Sequence, residues 1–121
     1  MIRKIECVCI STRDIAASEA FYLSLGLRRG WIIERARPDG ATWTLIGLKF
    51  PDEASSELVL SDNPDINFTE IELAVDDVCA SFEGLRANTA ISWIREPFAT
   101  ESGHVAVMEA PDGNVFVLVG A

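Results

Sequence analysis

Cys7 and Cys9 stand two residues apart in KIECVCIST, directly after Glu6. A thiol pair beside a carboxylate is a donor set for a soft metal ion or for thiol–disulfide exchange. The rest of the chain supplies one further cysteine, Cys79, and one histidine, His104. A Cys-x-Cys strand holds both thiols on one face, and no second cysteine pair completes a zinc site of that kind. Three cysteines without a signal-peptide pattern predict no disulfide framework. The remaining groups with chemical potential are the carboxylates Glu57, Glu70 and Glu72 and the indoles of Trp31, Trp43 and Trp93. The indoles offer flat surfaces for stacking on a planar or cationic ligand, or for core or dimer packing. His104, in ESGHVAVMEA, is the one imidazole available as an acid or base, but no acidic partner is fixed beside it and it reads as a solvated or packing residue. Nucleophile elbows and Gly-rich phosphate cradles are absent, so no catalytic residue is assigned.

These residues lie on alternating short strands and two helix-like stretches. Residues 3–12 alternate as a strand, with Val8 and Ile10 on one face and Cys7, Cys9 and Ser11 on the other. DIAASEAFYLSLG reads as an amphipathic helix: Asp14 caps it, Ile15, Phe21, Tyr22 and Leu25 form its apolar stripe, and Gly26 ends it. WIIERAR and ATWTLIGLKF are strands joined through the turn Pro38-Asp39-Gly40, and ELVLSD is a short strand after a loop. FTEIELAV, DDVCASFEGLRAN and ISWIREP then repeat strand, helix and strand, and HVAVMEA and NVFVLVG form a hairpin across Pro111-Asp112-Gly113. Cys79 reads as a small core residue on the sheet side of the second helix. Superposing Asp77 on Asp14 aligns Ile71 with Val8, Leu73 with Ile10 and Val78 with Ile15. The chain therefore reads as a duplicated strand–helix–strand–strand–strand unit.

Alternation also assigns faces. Val8, Ile10 and Thr12 pack on the first helix, as do Leu58 and Leu60 of the fourth strand, and Phe116 and Leu118 pack on the second. The opposite face then carries Cys7, Cys9 and Ser11; Glu57 and Val59; Glu70, Glu72 and Ala74; and Val115, Val117 and Val119. A carboxylate held among valines and cysteines needs a cationic ligand, an internal partner such as Arg35, Arg37 or Arg95, or open exposure.

The chain has 121 residues, enough for one domain with its own core and short for two. With 49% hydrophobic and 24% charged residues it is a globular composition, not a disordered one. No apolar run approaches the roughly 18 residues that span a bilayer. A cytoplasmic location without membrane association is the expectation. The net charge of −9 speaks against nucleic acid, which needs clustered Lys and Arg, and favours cationic partners.

KIECVCISTRDIAASEAFYLSLGL, together with the closing MEAPDGNVFVLV, resembles the vicinal-oxygen-chelate superfamily, which includes glyoxalase I, extradiol dioxygenases and bleomycin-resistance proteins. The resemblance implies an α+β fold, one domain over 1–121 built of two βαβββ modules, about 1–62 and 66–121. The modules form a curled mixed sheet with helices on the convex face and a cleft on the concave side, often completed in a homodimer. In metal-dependent members the cation is held by residues that correspond here to Cys7, Glu57, Glu70 and Val117. Histidine is usual at the first and third of these positions, and an oxygen ligand at the second and fourth. This sequence keeps only Glu57 of that pattern, Val117 cannot ligate, and no histidine joins the ring.

The reading closest to these residues is a non-catalytic binding protein in character with the metal-free bleomycin-resistance branch. It would sequester a small cationic, partly aromatic compound, such as an antibiotic, in a cleft without metal or cofactor. Cys7, Cys9, Glu57, Glu70, Glu72, Val117, Trp31, Trp43 and Trp93 are the cleft candidates. The alternative is an enzyme of the same superfamily, a lyase, isomerase or dioxygenase, that uses an atypical Cys7/Glu57/Glu70 metal site or acid–base chemistry by glutamate.

Overall fold

The computed structural model describes residues 1–121. Its elements run β1 (Ile2–Ser11), α1 (Ile15–Ser24), β2 (Arg28–Ala36), β3 (Thr42–Lys49), β4 (Glu57–Ser61), β5 (Glu70–Val75), α2 (Val78–Leu85), β6 (Ser92–Thr100), β7 (Gly103–Glu109) and β8 (Val115–Gly120). This is the α+β class with two βαβββ modules. Two compact units divide the chain: Cys7–Thr69, and Glu70–Ala121 together with Met1–Glu6. In the latter unit Arg3 holds both carboxylate oxygens of Asp76, at 2.9 and 2.8 Å. No helix is long and apolar enough to cross a membrane.

In the first module the strands lie in the order β2-β3-β4-β1, with β1 and β4 parallel and the other pairs antiparallel. The second follows the same plan, β6-β7-β8-β5, with β5 and β8 parallel. A parallel pair needs a crossover, and within each module the chain between the paired strands provides it.

The helix starts are fixed locally and alike. Asp14 accepts the Ala17 N–H at 3.0 Å, and Asp77 accepts the Ala80 N–H at 2.9 Å. Ile15 and Tyr22, two turns apart, pack on Leu27, Ile46, Leu48 and Leu60. Phe21 and Leu25, expected on the same stripe, are 57% and 55% exposed instead. At 3.6 residues per turn they fall on the flank of α1 that turns away from the sheet. In α2 the buried positions are Val78, which joins Val75, Ala106, Met108 and Leu118 in the second core, and Phe82, whose ring meets Trp93. Cys79 is exposed, not in the core as expected, because one step past Val78 rotates it off the buried face.

Both Pro-Asp-Gly segments close hairpins in the same way. The aspartate accepts the backbone N–H two residues on, and the glycine takes a φ of +87° at Gly40 and +86° at Gly113. That conformation costs a Cβ-bearing residue about 1–2 kcal/mol, which explains the third residue of the motif.

Candidate functional site

The face of the first module opposite its helix is built on Cys7, Cys9 and Val59, all buried, with Trp31 and Leu45 packed against them. Register lines them up: Cys7 lies beside Glu57, Cys9 beside Val59, Val59 beside Gly47, and Gly47 beside Trp31. Gly47 has a packing reason. A Cβ there would fall inside the Trp31 ring, 2.6 Å from Cζ2 and closer still to Cε2 and Nε1. With no side chain on Gly47 the indole lies across β3, and Trp31 Nε1 donates to Glu57 Oε2 at 2.7 Å. The indole thereby fills the middle of this face with the protein's own side chain. Cys7 and Cys9 keep only 3% and 8% of their surface. Trp43 stands on the same face nearer its edge, with the Arg35 guanidinium 5.4 Å from its ring centre.

The corresponding face of the second module is different in kind. One row crosses four strands as Glu72, Val117, Val107 and Arg95, and a second as Glu70, Val115, Glu109 and Ser92. Ala74, Val119, Val105 and Phe98 make a third. Two carboxylates therefore line the β5 side, valines and Glu109 the floor, and an arginine over a phenyl ring the β6 side. Burial pushes the Glu70 carboxyl above the usual carboxylate range, and the neighbouring Glu72 charge adds to the rise. Desolvation disfavours the ionised form, and a second anion disfavours it further.

Two irregularities in β6 create the arginine side. The register shifts between Trp93 and Arg95 and again between Arg95 and Phe98. At each shift β6 has one residue more than β7, which turns the strand's alternation over. Trp93 is thereby carried to the helix side, where it meets Phe82 edge to face at 4.7 Å and belongs to the second core. This corrects its placing among the cleft candidates. The same shifts put Arg95 and Phe98 on one face although they are three residues apart, with the guanidinium 3.6 Å from the ring centre. Neither Phe98 nor Glu109 was singled out from sequence. Pro97 was the available signal, since proline inside a strand marks an edge or a bulge. His104 lies opposite Gly120 and on the other side of β7 from the Glu70 face.

No protein-family model matches the sequence, and no curated protein is similar to it. Solved structures match over the whole chain. A variant of Streptomyces coelicolor methylmalonyl-CoA epimerase in complex with 2-nitronate-propionyl-CoA has a TM-score of 0.75 at 18% identity, covering 100% of this chain and 99% of that one. A hypothetical protein from Bacillus halodurans gives 0.74 at 16%, with 98% and 94% covered. A glyoxalase/bleomycin resistance protein/dioxygenase superfamily member from Vibrio splendidus gives 0.66 at 16%, with both chains covered in full. The chain has the vicinal-oxygen-chelate fold. The resemblance seen in the sequence is thus matched in three dimensions, while identities this low establish the fold alone.

The metal ring of the vicinal-oxygen-chelate fold can be tested on these side chains. In the first module Cys7 is buried and the Glu57 carboxylate is engaged by the Trp31 indole. In the second, Glu70 lies beside Val115 and Glu72 beside Val117, so β8 offers no donor next to either carboxylate. No group of three or more His, Cys, Asp or Glu is placed to hold a metal ion. The donors present do not fit the metal centre of this fold.

Proposed function

We propose that the protein binds a small cationic, partly aromatic molecule on the carboxylate-and-valine face of its second module, without converting it. The observation that carries this reading is Glu70. A carboxyl half-buried over valines and beside a second carboxylate is held above its ordinary pKa, and an arriving cation relieves both costs at once. The net charge of −9 acts in the same direction, by raising the local concentration of cations. Binding is then linked to proton release from Glu70, so affinity rises with pH through the range in which it titrates.

The test is a thermal-shift and calorimetric comparison of cationic, neutral and anionic aromatic compounds of matched size at neutral pH. Stabilisation by the cationic set, reduced in Glu70→Gln, is the expected result. Equal or absent shifts across the three sets would sink the reading. Exposed apolar side chains of the first module, among them Phe21, Leu25, Ile32 and Phe50, support a homodimer as the working unit, which sedimentation analysis checks.

The same raised pKa also favours a second reading, an enzyme in which Glu70 passes a proton. Solvent deuterium entering methylmalonyl-CoA, the ligand of one epimerase of this fold, would support it. The charge of −9 argues against a polyphosphate-bearing ligand of that class.

A further inference from the structure

The second module's face is polarised from end to end, and we propose that its ligand is amphoteric: an amine seated on Glu70 and Glu72, an anionic group seated on Arg95, and a flat apolar body across the valines between them. This rests on the reading of that face as a binding surface and adds the chemistry of the far end. Glu72, Val117, Val107 and Arg95 stand in register across four adjacent strands. Three strand spacings make the row about 14 Å long at the backbone. That is the span of two linked aromatic rings with a substituent at each end, and too long for one small ion to satisfy both charges.

The arginine is placed there at some cost. Two shifts of register within β6 are needed to bring Arg95 and Phe98 to this face, and bulges of this kind commonly re-aim side chains beside functional sites. Glu109 is the carboxylate diagonal to Arg95 on the neighbouring strand, yet the guanidinium turns to the other side and lies 3.6 Å from the Phe98 ring centre. The ring holds the guanidinium carbon over its π face, a contact that uses none of the N–H donors. A planar fork presented in this way suits a carboxylate, which it can take through two parallel hydrogen bonds.

Three biphenyl probes separate the possibilities by isothermal titration at neutral pH and low salt. One carries a para aminomethyl group and a para′ carboxylate, the second is its methyl ester, and the third is its N-acetyl derivative. The amphoteric probe is expected to bind about tenfold more tightly than the ester, the increment of one charge-assisted hydrogen-bonded contact. Arg95→Gln should remove that increment and leave the ester's affinity unchanged. Glu70→Gln should weaken both amine-bearing probes and spare the difference between them. If ester and amphoteric probe bind equally, the amphoteric inference is overturned while the cation-binding reading stands. If none of the three binds, both fall together.

Discussion

Replacing Gly47 by alanine tests whether the first module's face is plugged by Trp31. An alanine Cβ would overlap the indole at Cε2, Nε1 and Cζ2, so either the ring or β3 must move. Gly47 has no left-handed φ, so the backbone itself accepts alanine and the clash is confined to one side chain. Displacing the ring breaks the 2.7 Å hydrogen bond to Glu57 and uncovers Cys7, Cys9 and Val59. A hydrogen bond to a charged group contributes about 1.5–3 kcal/mol, and overpacking of a close-fitted site costs about 1–3 kcal/mol. A loss of about 2 kcal/mol is therefore expected, seen as a lower urea midpoint at unchanged slope. The decisive assay is a double-mutant cycle. In a Trp31→Ala background the obstacle is gone, and Gly47→Ala should be neutral or stabilising by about 0.5 kcal/mol through lower chain entropy. The coupling energy is then about 2 kcal/mol, the range of directly touching residues. Acrylamide quenching of tryptophan emission should rise in Gly47→Ala alone. A Gly47→Ala cost that is the same in both backgrounds would refute the reasoning.

Three further outcomes follow from the same geometry. Because the folded-state pKa of Glu70 is raised, folding is favoured below the ordinary glutamate range, and that contribution is lost as pH rises through the folded value. Glu70→Gln should therefore raise the melting temperature at neutral pH and change nothing in acid, which a pH series of thermal melts checks. Asp14→Ala and Asp77→Ala each remove an N-cap and should cost about 1 kcal/mol in chemical denaturation, additively, since the caps share no partner. Cys79 is exposed while Cys7 and Cys9 are buried, so an aromatic disulfide reagent should titrate one thiol at once and the other two only with unfolding.

What the sequence disclosed depended on how local the determinant was. Asp14, Asp77 and the two Pro-Asp-Gly turns act within four residues of themselves, and each is where the sequence places it. Strict alternation was enough for the faces of β1, β4, β5 and β8, because those strands pair without a shift. It failed in β6, where two shifts depend on how β7 is paired and not on β6 alone, so Trp93 went to the helix and Arg95 and Phe98 to the opposite face. The buried stripe of α1 is narrower than the spacing of its apolar residues suggests, and Phe21 and Leu25 lie outside it. The partner of Glu57 is an indole and not a cation, a contact between residues 26 apart in sequence that no spacing announces.

The two modules show how one plan diverged. Both have a shift of register at the same place in their edge strand, before Trp31 in β2 and before Arg95 in β6. From that point the rows correspond: Trp31, Gly47, Val59 and Cys9 in the first module, Arg95, Val107, Val117 and Glu72 in the second. Glycine on the central strand lets an indole lie flat, and the row closes over two thiols that can be buried at little cost. Valine stands at the same place in the second module, and the edge residue is a long cation whose guanidinium lies over the Phe98 ring. The far end is then a carboxylate, which cannot be buried as cheaply as a thiol. Gly47 against Val107 thus decides whether an indole can cross the row, and Cys9 against Glu72 sets whether its far end is a thiol or a carboxylate.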